Sequence, residues 1–144
     1  MSHEENCIFC KIVNREIPAS IVYEDEHVLA FVDIGQVTKG HTLLIPKDHQ
    51  KDIFELTTEM ASHLFSVAPK IANAIKDEFQ PGGLNLVNNN GKPASQDVFH
   101  YHLHFLPRYG SDDGFKHSFR DNSENYSRED LENIGKRIQN RLKD

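Results

Sequence analysis

The sequence has no long apolar run, few cysteines and no excess of basic residues. Without about 20 consecutive apolar residues it offers no membrane-spanning helix, and its polar start, Met1 to Lys11, is unlike a secretory signal. Two cysteines cannot build a disulfide framework. Sixteen Lys and Arg against 22 Asp and Glu give a net charge of −6, which disfavours binding to nucleic acid or to anionic membranes. Free thiols without a targeting segment lead us to expect a cytoplasmic protein.

Length and composition are those of one globular domain. The chain has 144 residues, of which 38% are hydrophobic and 26% charged, enough to bury a core without disulfides or metals. We predict a single domain over residues 1–144, with a core at 7–108, an irregular excursion at 109–126 and a C-terminal helix at 127–143.

Short β-branched and aromatic segments predict five strands, and two apolar stripes predict helices. The order of these elements predicts an α+β domain, with an antiparallel sheet of about five strands and its helices on one face. The central helix is expected to begin at Thr57 or Thr58 and to kink or restart at Pro69. The predicted strands cover residues 20–23, 28–34, 40–45, 84–87 and 99–106.

Three histidines alternate with apolar residues in the last predicted strand. The odd positions predict a core face, so that His100, His102 and His104 project together from the other face, roughly 7 Å apart. Imidazoles in such a row can bind a metal, bind an anion such as phosphate, or act as a nucleophile or general base. Because the alternation is strict and histidine is scarce, we favour a functional row over a solvated polar face.

The loop before this strand, residues 88–95, is rich in Asn, Gly and Pro. Such a loop is first of all a turn, and its exposed backbone N–H groups also suit a phosphate.

Cys7 and Cys10 form a Cys-x-x-Cys pair. A redox pair would need a strand before it, for which six residues leave little room. A zinc half-site is slightly favoured over two small buried hydrophobic residues. Its remaining ligands would come from His41, His49 or the row that begins at His100, and spacing does not choose among them.

The segment His100-Tyr101-His102-Leu103-His104-Phe105-Leu106 resembles the signature of the histidine triad family of nucleotide hydrolases and transferases. The similarity spans about residues 7–108. Cys7-x-x-Cys10 and Pro107-Arg108-Tyr109 are similar to the small bacterial members. The other segments that carry the resemblance are 8–12, 17–19, 30–34, 40–49, 89–91 and 96–99.

The resemblance implies a catalytic role for each member of the row. His102 matches the nucleophile that attacks the α-phosphorus and forms a covalent nucleotidyl-histidine, which water then hydrolyses. His104 and Asn89 match groups that contact the phosphate oxygens. The backbone carbonyl of His100 matches the group that fixes the tautomer of His102.

The resemblance also implies the binding site, the metal and the assembly. Asp33 matches the carboxylate that binds the ribose hydroxyls, and ordinary core packing is an equal alternative for Ile12 and Phe31 in the base slot. The implied homodimer would use the helix from Thr58 and the fourth strand. The implied purine-binding residues are Ile8, Phe9, Ile12, Phe31 and Ile34, with Gln96 and Val98 completing the site, and the implied structural zinc ligands are Cys7, Cys10, His49 and His100.

Two positions depart from the family pattern. Ser95 stands where the family often has Gly, which puts the backbone of the phosphate loop in question. Asp97 stands where the family often has Ser, a hydroxyl thought to assist the leaving group. A carboxylate beside a phosphate is repelled unless it is protonated or turned away, so Asp97 is either a general acid or a sign of altered substrate choice.

Our preferred hypothesis is a hydrolase that cleaves purine nucleotides at the α-phosphate, with phosphoramidates, adenylated amines or dinucleoside polyphosphates as substrates. One alternative is a metal-dependent hydrolase with His100 and His102 as joint ligands. The other is a non-catalytic nucleotide sensor or scaffold, suggested by Ser95 and Asp97.

Overall fold

The computed structural model describes residues 2–142, which contain one five-stranded antiparallel sheet and three α-helices. The strand order is β1-β2-β3-β5-β4, and the predicted α+β class with a central and a C-terminal helix is confirmed. The strands are β1 (Ile21–Glu24), β2 (Val28–Val32), β3 (Thr42–Pro46), β4 (Gly83–Val87) and β5 (Leu103–Arg108). The helices are α1 (Ile8–Val13), α2 (Thr58–Phe79) and α3 (Arg128–Gln139).

The sheet carries packed side chains on both faces. Val28 and Ala30 of β2 belong to a cluster with the inner face of α2, whereas Leu29 and Phe31 belong to a cluster with Phe9 of α1. The expectation that the helices share one face was therefore wrong. The cause is α1, which spans six residues and is too short to show a helical stripe in the sequence.

Helix α2 is continuous through Pro69, so of the two predicted effects, a kink or a restart, the restart does not occur. Pro69 and Phe65 both lie on the exposed side of the helix. Water can therefore bond to the Phe65 carbonyl, which loses its partner because proline has no N–H. The predicted cap is present, since the Thr57 hydroxyl accepts a hydrogen bond from the Met60 N–H at 3.1 Å.

Strand β5 begins at Leu103 and not at Phe99. Its pairing with β3 ends at Leu44 opposite Leu103, and the same register would next set Tyr101 opposite Pro46, which has no N–H to donate. The Tyr101 N–H donates instead to the Gln50 carbonyl at 2.6 Å. Phe99, predicted to face the core, is 41% exposed.

The excursion after β5 is anchored near its start. Arg108 donates hydrogen bonds to Asp113 at 2.9 Å and to Asn85 at 2.8 Å, and the Tyr109 hydroxyl donates to the Lys39 carbonyl. A Cβ on Gly114 would lie 2.2 Å from the Val37 carbonyl oxygen, so this loop packs closely on the segment between β2 and β3.

The C-terminal helix α3 has the predicted capping box between Ser127 and Asp130. Its residues are all exposed, including the stripe made by Leu131, Ile134 and Ile138. The helix was predicted to run to residue 143, which lies outside the described residues. Within residues 2–142, no helix is both long and apolar enough to cross a membrane.

Candidate active site

His102, the middle histidine of the row, is oriented by a hydrogen bond from its Nδ1 to the backbone. Its other ring nitrogen, Nε2, makes no hydrogen bond to the backbone. Its Nδ1 lies 2.7 Å from the backbone carbonyl of His100. A carbonyl only accepts, so Nδ1 carries the proton and Nε2 keeps its lone pair. The ring is 2% exposed and has the edge of Phe9 5.1 Å away between centroids.

The Nε2 atom of His102 faces the side chain of Asp97. The separation from Asp97 Oδ1 is 3.7 Å, and that carboxylate is 84% exposed. Nε2 therefore lies beneath an exposed side chain, while the His102 side chain itself is buried. A cavity of about 390 Å³ opens beside Asp97 and is lined by Ile8, Lys51, Val98 and Phe99, among others.

His104 is linked to His41 of the segment before β3. The Val37 N–H donates to His41 Nδ1 at 3.3 Å, so a neutral His41 carries its proton on Nε2. His41 Nε2 lies 2.9 Å from His104 Nδ1 and donates to it. The remaining proton of His104 is thereby placed on Nε2, as a hydrogen-bond donor to a bound anion.

Burial keeps both rings of this pair neutral. Desolvation lowers the pKa of His104 to about 4, assisted by the neighbouring rings of His102 and His41. It also lowers the pKa of His41, against the opposing effect of Asp33. At neutral pH His104 is thus a donor without a net charge.

Asp33, predicted to bind ribose, lies at the end of this chain of contacts. Its Oδ1 accepts from the Gly35 N–H at 2.8 Å, and its Oδ2 lies 3.5 Å from His41 Nε2. The side chain is partly exposed, so one edge of the carboxylate remains open to a ligand. The fold therefore brings Asp33 close to the His41–His104 pair although 71 positions separate Asp33 from His104 in the sequence.

The predicted purine-binding residues divide into two groups. Phe9, Ile12 and Phe31 are buried together in the cluster between α1 and the sheet, where they form a packed floor. Ile8 is 47% exposed and Ile34 fully exposed, so these two can contact a ligand directly. Of the two readings left open for Ile12 and Phe31, core packing describes their place in this structure.

The loop from Asn88 to Gln96 is held by its own side chains. Gln96, 4% exposed, accepts from the Gly91 N–H and donates to the carbonyls of Lys51 and Val98. The Asn88 amide donates to the His102 carbonyl at 3.0 Å. Asn89 is half-buried between two asparagines whose side chains are already hydrogen-bonded.

Ser95 lies in this loop with φ of 71° and ψ of 25°. This is the left-handed region that favours glycine, which is the residue that the family pattern often has there. The loop therefore keeps the left-handed backbone conformation that favours glycine, at a position that serine occupies.

A second group of donors lies on the other side of His100. Atoms of Cys7, Cys10, His49 and His100 all lie within 4.8 Å of one another. The Cys7 thiol accepts from the Cys10 N–H at the start of α1, so the Cys-x-x-Cys spacing is that of a helix cap and its first turn. Cys10 and His100 are buried, whereas Cys7 and His49 are partly buried.

The separations among these donors suit a tetrahedral metal ion. His100 Nδ1 lies 3.3 Å from Cys7 Sγ, 3.5 Å from Cys10 Sγ and 3.2 Å from His49 Nδ1. Around a tetrahedral zinc, sulfur–nitrogen and nitrogen–nitrogen separations are about 3.5 and 3.4 Å, from bond lengths of about 2.3 and 2.05 Å. The donor set therefore fits zinc in both chemistry and spacing.

Further contacts orient these ligands. His100 Nε2 donates to the Pro46 carbonyl at 2.8 Å, which turns the Nδ1 lone pair toward the other three donors. Burial lowers the pKa of His100 to about 4 and raises the pKa of the Cys10 thiol to about 11. A bound cation would reverse the second effect, because it stabilises the thiolate.

Both ring nitrogens of His100 are thus directed away from His102. Among residues 2–142, the groups of donors that can share a metal are the cluster of Cys7, Cys10, His49 and His100, and the set Asp33, His41 and His104. Neither contains His102. The geometry therefore does not support His100 and His102 as joint ligands of a catalytic metal.

Sequence reasoning missed several groups that shape the site. His41 was considered only as a zinc ligand, and the structure places it against His104. The Pro46 carbonyl and the Asn88 amide were not predicted at all. The contacts of all three cross between distant segments, so no local spacing indicates them.

Comparisons with known proteins agree with this geometry. The family model of the HIT domain matches residues 14–111. Protein hit of Bacillus subtilis is 58% identical over 138 residues, covering 96% of this chain and 95% of that protein. The crystal structure of a HIT family protein from Bacillus anthracis matches with a TM-score of 0.94 and 62% identity, covering 96% of this chain and 99% of that one.

Two further relatives bear on metal and activity. A Zn-bound histidine triad family protein from Mycobacterium smegmatis matches with a TM-score of 0.72 and 36% identity, covering 92% of this chain and 97% of that one. Adenylylsulfatase HINT3 of Arabidopsis thaliana is 37% identical over 105 residues, covering 73% of this chain and 53% of that protein. From the family model and these identities, the chain belongs to the HIT family of histidine triad proteins.

Proposed function

We propose that this protein is a hydrolase that cleaves purine nucleotides at the α-phosphorus through a covalent nucleotidyl intermediate on His102. One observation carries the proposal: the 2.7 Å hydrogen bond from His102 Nδ1 to the His100 carbonyl. It holds the ring in the tautomer whose Nε2 lone pair is available for attack. The name of the Arabidopsis relative, an adenylylsulfatase, supports chemistry at the same phosphorus.

The reaction takes two displacements. His102 Nε2 forms a bond to the α-phosphorus while the bond from phosphorus to the leaving group breaks. Water then attacks the phosphorus and loses a proton. The N–P bond breaks, its electron pair goes to Nε2, and the nucleoside monophosphate is released. The N–H that the His41 contact places on His104 Nε2, together with the Asn89 amide, donates to the phosphate oxygens as their charge changes.

The remaining site residues bind the nucleoside. The open edge of the Asp33 carboxylate accepts hydrogen bonds from the ribose hydroxyls. Ile8 and Ile34, the exposed members of the apolar set, contact the purine above the floor made by Phe9, Ile12 and Phe31. Gln96 and Val98 act through the shape of the phosphate loop, because the Gln96 amide is fully occupied within it.

Zinc has a structural role in this proposal. When bound by Cys7, Cys10, His49 and His100 it would supply rigidity and no reacting group, because four protein ligands leave no open position. The bound zinc would fix the position of His100, whose backbone carbonyl orients the nucleophile.

The test is release of AMP from adenosine 5′-phosphoramidate by the purified protein. His102→Ala and the similarly sized His102→Asn should abolish release, and rapid quenching of the wild type should trap a mass increase of one AMP on the peptide that contains His102. Retention of most activity in His102→Ala would end the proposal. Nucleotide binding without turnover would favour the sensor, and loss of activity on chelation with an intact fold would favour a catalytic metal.

We also infer a homodimer in the cytoplasm. Strand β4 lies at an edge of the sheet, and an open edge with exposed apolar residues nearby is a surface that proteins normally cover. Leu86 of β4 is exposed, and so are Phe65 and Phe79 of α2. Free cysteines such as Cys7 and Cys10 are kept reduced in the cytosol, which supports the location. Light scattering should give twice the chain mass, and Leu86→Lys should reduce it to one chain.

A further inference from the structure

The carboxylate of Asp97 is fixed beside the attacking atom of the nucleophile. Its Oδ1 accepts from the Val98 N–H at 2.9 Å and lies 3.7 Å from His102 Nε2. The backbone of its own segment thus aims the carboxylate at the point where a substrate phosphorus arrives. The side chain is 84% exposed, so it meets whatever part of the substrate extends toward solvent.

Different parts of a nucleotide substrate respond differently to this charge. The non-bridging phosphate oxygens are negative and are repelled by a carboxylate, whereas an N–H group donates a charge-assisted hydrogen bond to it. At near-attack distance the phosphorus lies about 3–3.5 Å from the nucleophile, and in an in-line displacement the leaving atom lies on the far side of phosphorus. A leaving group that departs toward solvent passes the exposed carboxylate of Asp97. A carboxylate at this position therefore favours one class of leaving group over another.

We propose that Asp97 selects substrates whose leaving group is an amine and disfavours those that leave as an anion, such as a polyphosphate or a sulfate. This inference rests on the proposed function and names its substrate class. Asp97 is then a specificity-determining residue of the same site.

The step balances as follows. His102 Nε2 forms a bond to phosphorus, the P–N bond to the amine breaks, and its electron pair stays on the departing nitrogen. That nitrogen takes one proton from water as the bond breaks and leaves as a neutral amine, and the Asp97 carboxylate accepts a hydrogen bond from its N–H. Hydrolysis of the nucleotidyl-histidine later returns one proton to water, so the net reaction consumes one water molecule. An anionic leaving group has no such proton to offer.

The experiment compares kcat/KM for adenosine 5′-phosphoramidate of a primary alkylamine with kcat/KM for diadenosine tetraphosphate and for adenosine 5′-phosphosulfate. Asp97→Asn removes the charge at constant size, and Asp97→Ser introduces the residue of the family pattern. Asp77→Asn, an exposed residue near the end of α2, makes the same change in net charge elsewhere. Circular dichroism verifies that each variant is folded.

The wild type should prefer the amine substrate, and both Asp97 variants should lower the ratio of amine to anionic substrate by about tenfold, as expected for one charge-assisted hydrogen bond. Asp77→Asn should leave the ratio unchanged. An equal fall on all substrates in the Asp97 variants would overturn the inference, because it would mean that Asp97 only stabilises the cationic imidazole. An unchanged ratio in these variants would overturn it as well. A wild type that releases AMP from no substrate would instead overturn the proposed function.

Discussion

His41 Nε2 lies 2.9 Å from His104 Nδ1, and this contact joins two strands of the sheet at the candidate site. His41 immediately precedes β3 and His104 lies in β5, where it is paired with Leu43. The contact decides which nitrogen of His104 carries the proton, and therefore what His104 can offer to a phosphate.

Removing His41 should slow the reaction without unfolding the protein. We expect His41→Ala to lower kcat by about ten- to a hundredfold, because His104 loses the partner that orients its ring and its proton. His41→Gln should recover part of the loss, since its amide can donate to His104 Nδ1. Steady-state kinetics with both variants, and with the exposed His27→Gln as control, test this. Equal rates for the alanine and glutamine variants would contradict a positioning role.

The half-buried His104 should make the fold less stable in acid. Its pKa is lowered to about 4 in the folded protein, against about 6.5 in an unfolded chain. Between these values the unfolded chain binds more protons, so stability is complete above about pH 6.5 and falls as the pH drops toward 4.

Urea denaturation between about pH 7 and 4 should show a fall on the order of a few kcal/mol. His104→Gln should reduce this slope by the contribution of His104 and leave that of His100, whose pKa burial also lowers to about 4. The carboxylate of Asp113, whose pKa Arg108 holds well below its usual range, titrates outside the window. A slope that is the same in the wild type and in His104→Gln would assign the acid sensitivity to other groups.

The cluster of Cys7, Cys10, His49 and His100 should hold one zinc ion per chain. We expect Cys10→Ser and His49→Asn to lose the metal and to melt at a lower temperature, because each leaves three ligands around a site that needs four. Elemental analysis and thermal denaturation measure both effects. His27→Asn, an exposed histidine outside the cluster, should retain the metal, and a metal-free wild type would contradict the assignment.

Ser95 should be replaceable by glycine with a gain in stability. A side chain in the left-handed region costs roughly 1–2 kcal/mol, and the greater freedom of glycine in the unfolded chain offsets part of that gain. We expect Ser95→Gly to stabilise the protein by up to about 1 kcal/mol. Ser62→Gly, the same change within α2, should destabilise it. Urea denaturation of both variants provides the comparison, and a loss in Ser95→Gly would mean that the hydroxyl contributes more than the strain costs.

Gly114→Ala should disturb the site from a distance. Its Cβ would lie 2.2 Å from the Val37 carbonyl oxygen, at a φ of +105°, so the loop or Val37 must shift. Because the Val37 N–H orients His41, we expect lower kcat as well as lower stability. Gly110→Ala, whose Cβ would have open space, is the matched control. An unchanged kcat in Gly114→Ala would show that the loop absorbs the shift alone.

The sequence predicted best what depends on short periodicity. Alternation in residues 99–105 predicted a core face at the odd positions. Tyr101, Leu103 and Phe105 lie in the core cluster with α2, whereas Phe99 is exposed. The polar cap at Thr57 predicted the start of α2 well, because this signal is local.

What the sequence could not predict depends on contacts between distant segments. The ladder of β5 stops because Pro46 occupies the position that would pair with Tyr101, which only the register with β3 reveals. Likewise, α1 derives its place from packing Phe9 against Phe31 and Leu29 and not from a stripe of its own. The link from His41 to His104 required the folded sheet, since 63 positions separate the two residues.

His100 serves two neighbouring sites with different parts of itself. Its ring reaches the thiols and His49, while its carbonyl oxygen accepts a hydrogen bond from His102 Nδ1. The two functions are separated by only a few covalent bonds, so a shift of the His100 backbone that moves the ring away from its ligands also moves the carbonyl that aims the nucleophile. A displacement at one site is therefore transmitted directly to the other, with no helix, hinge or domain between them.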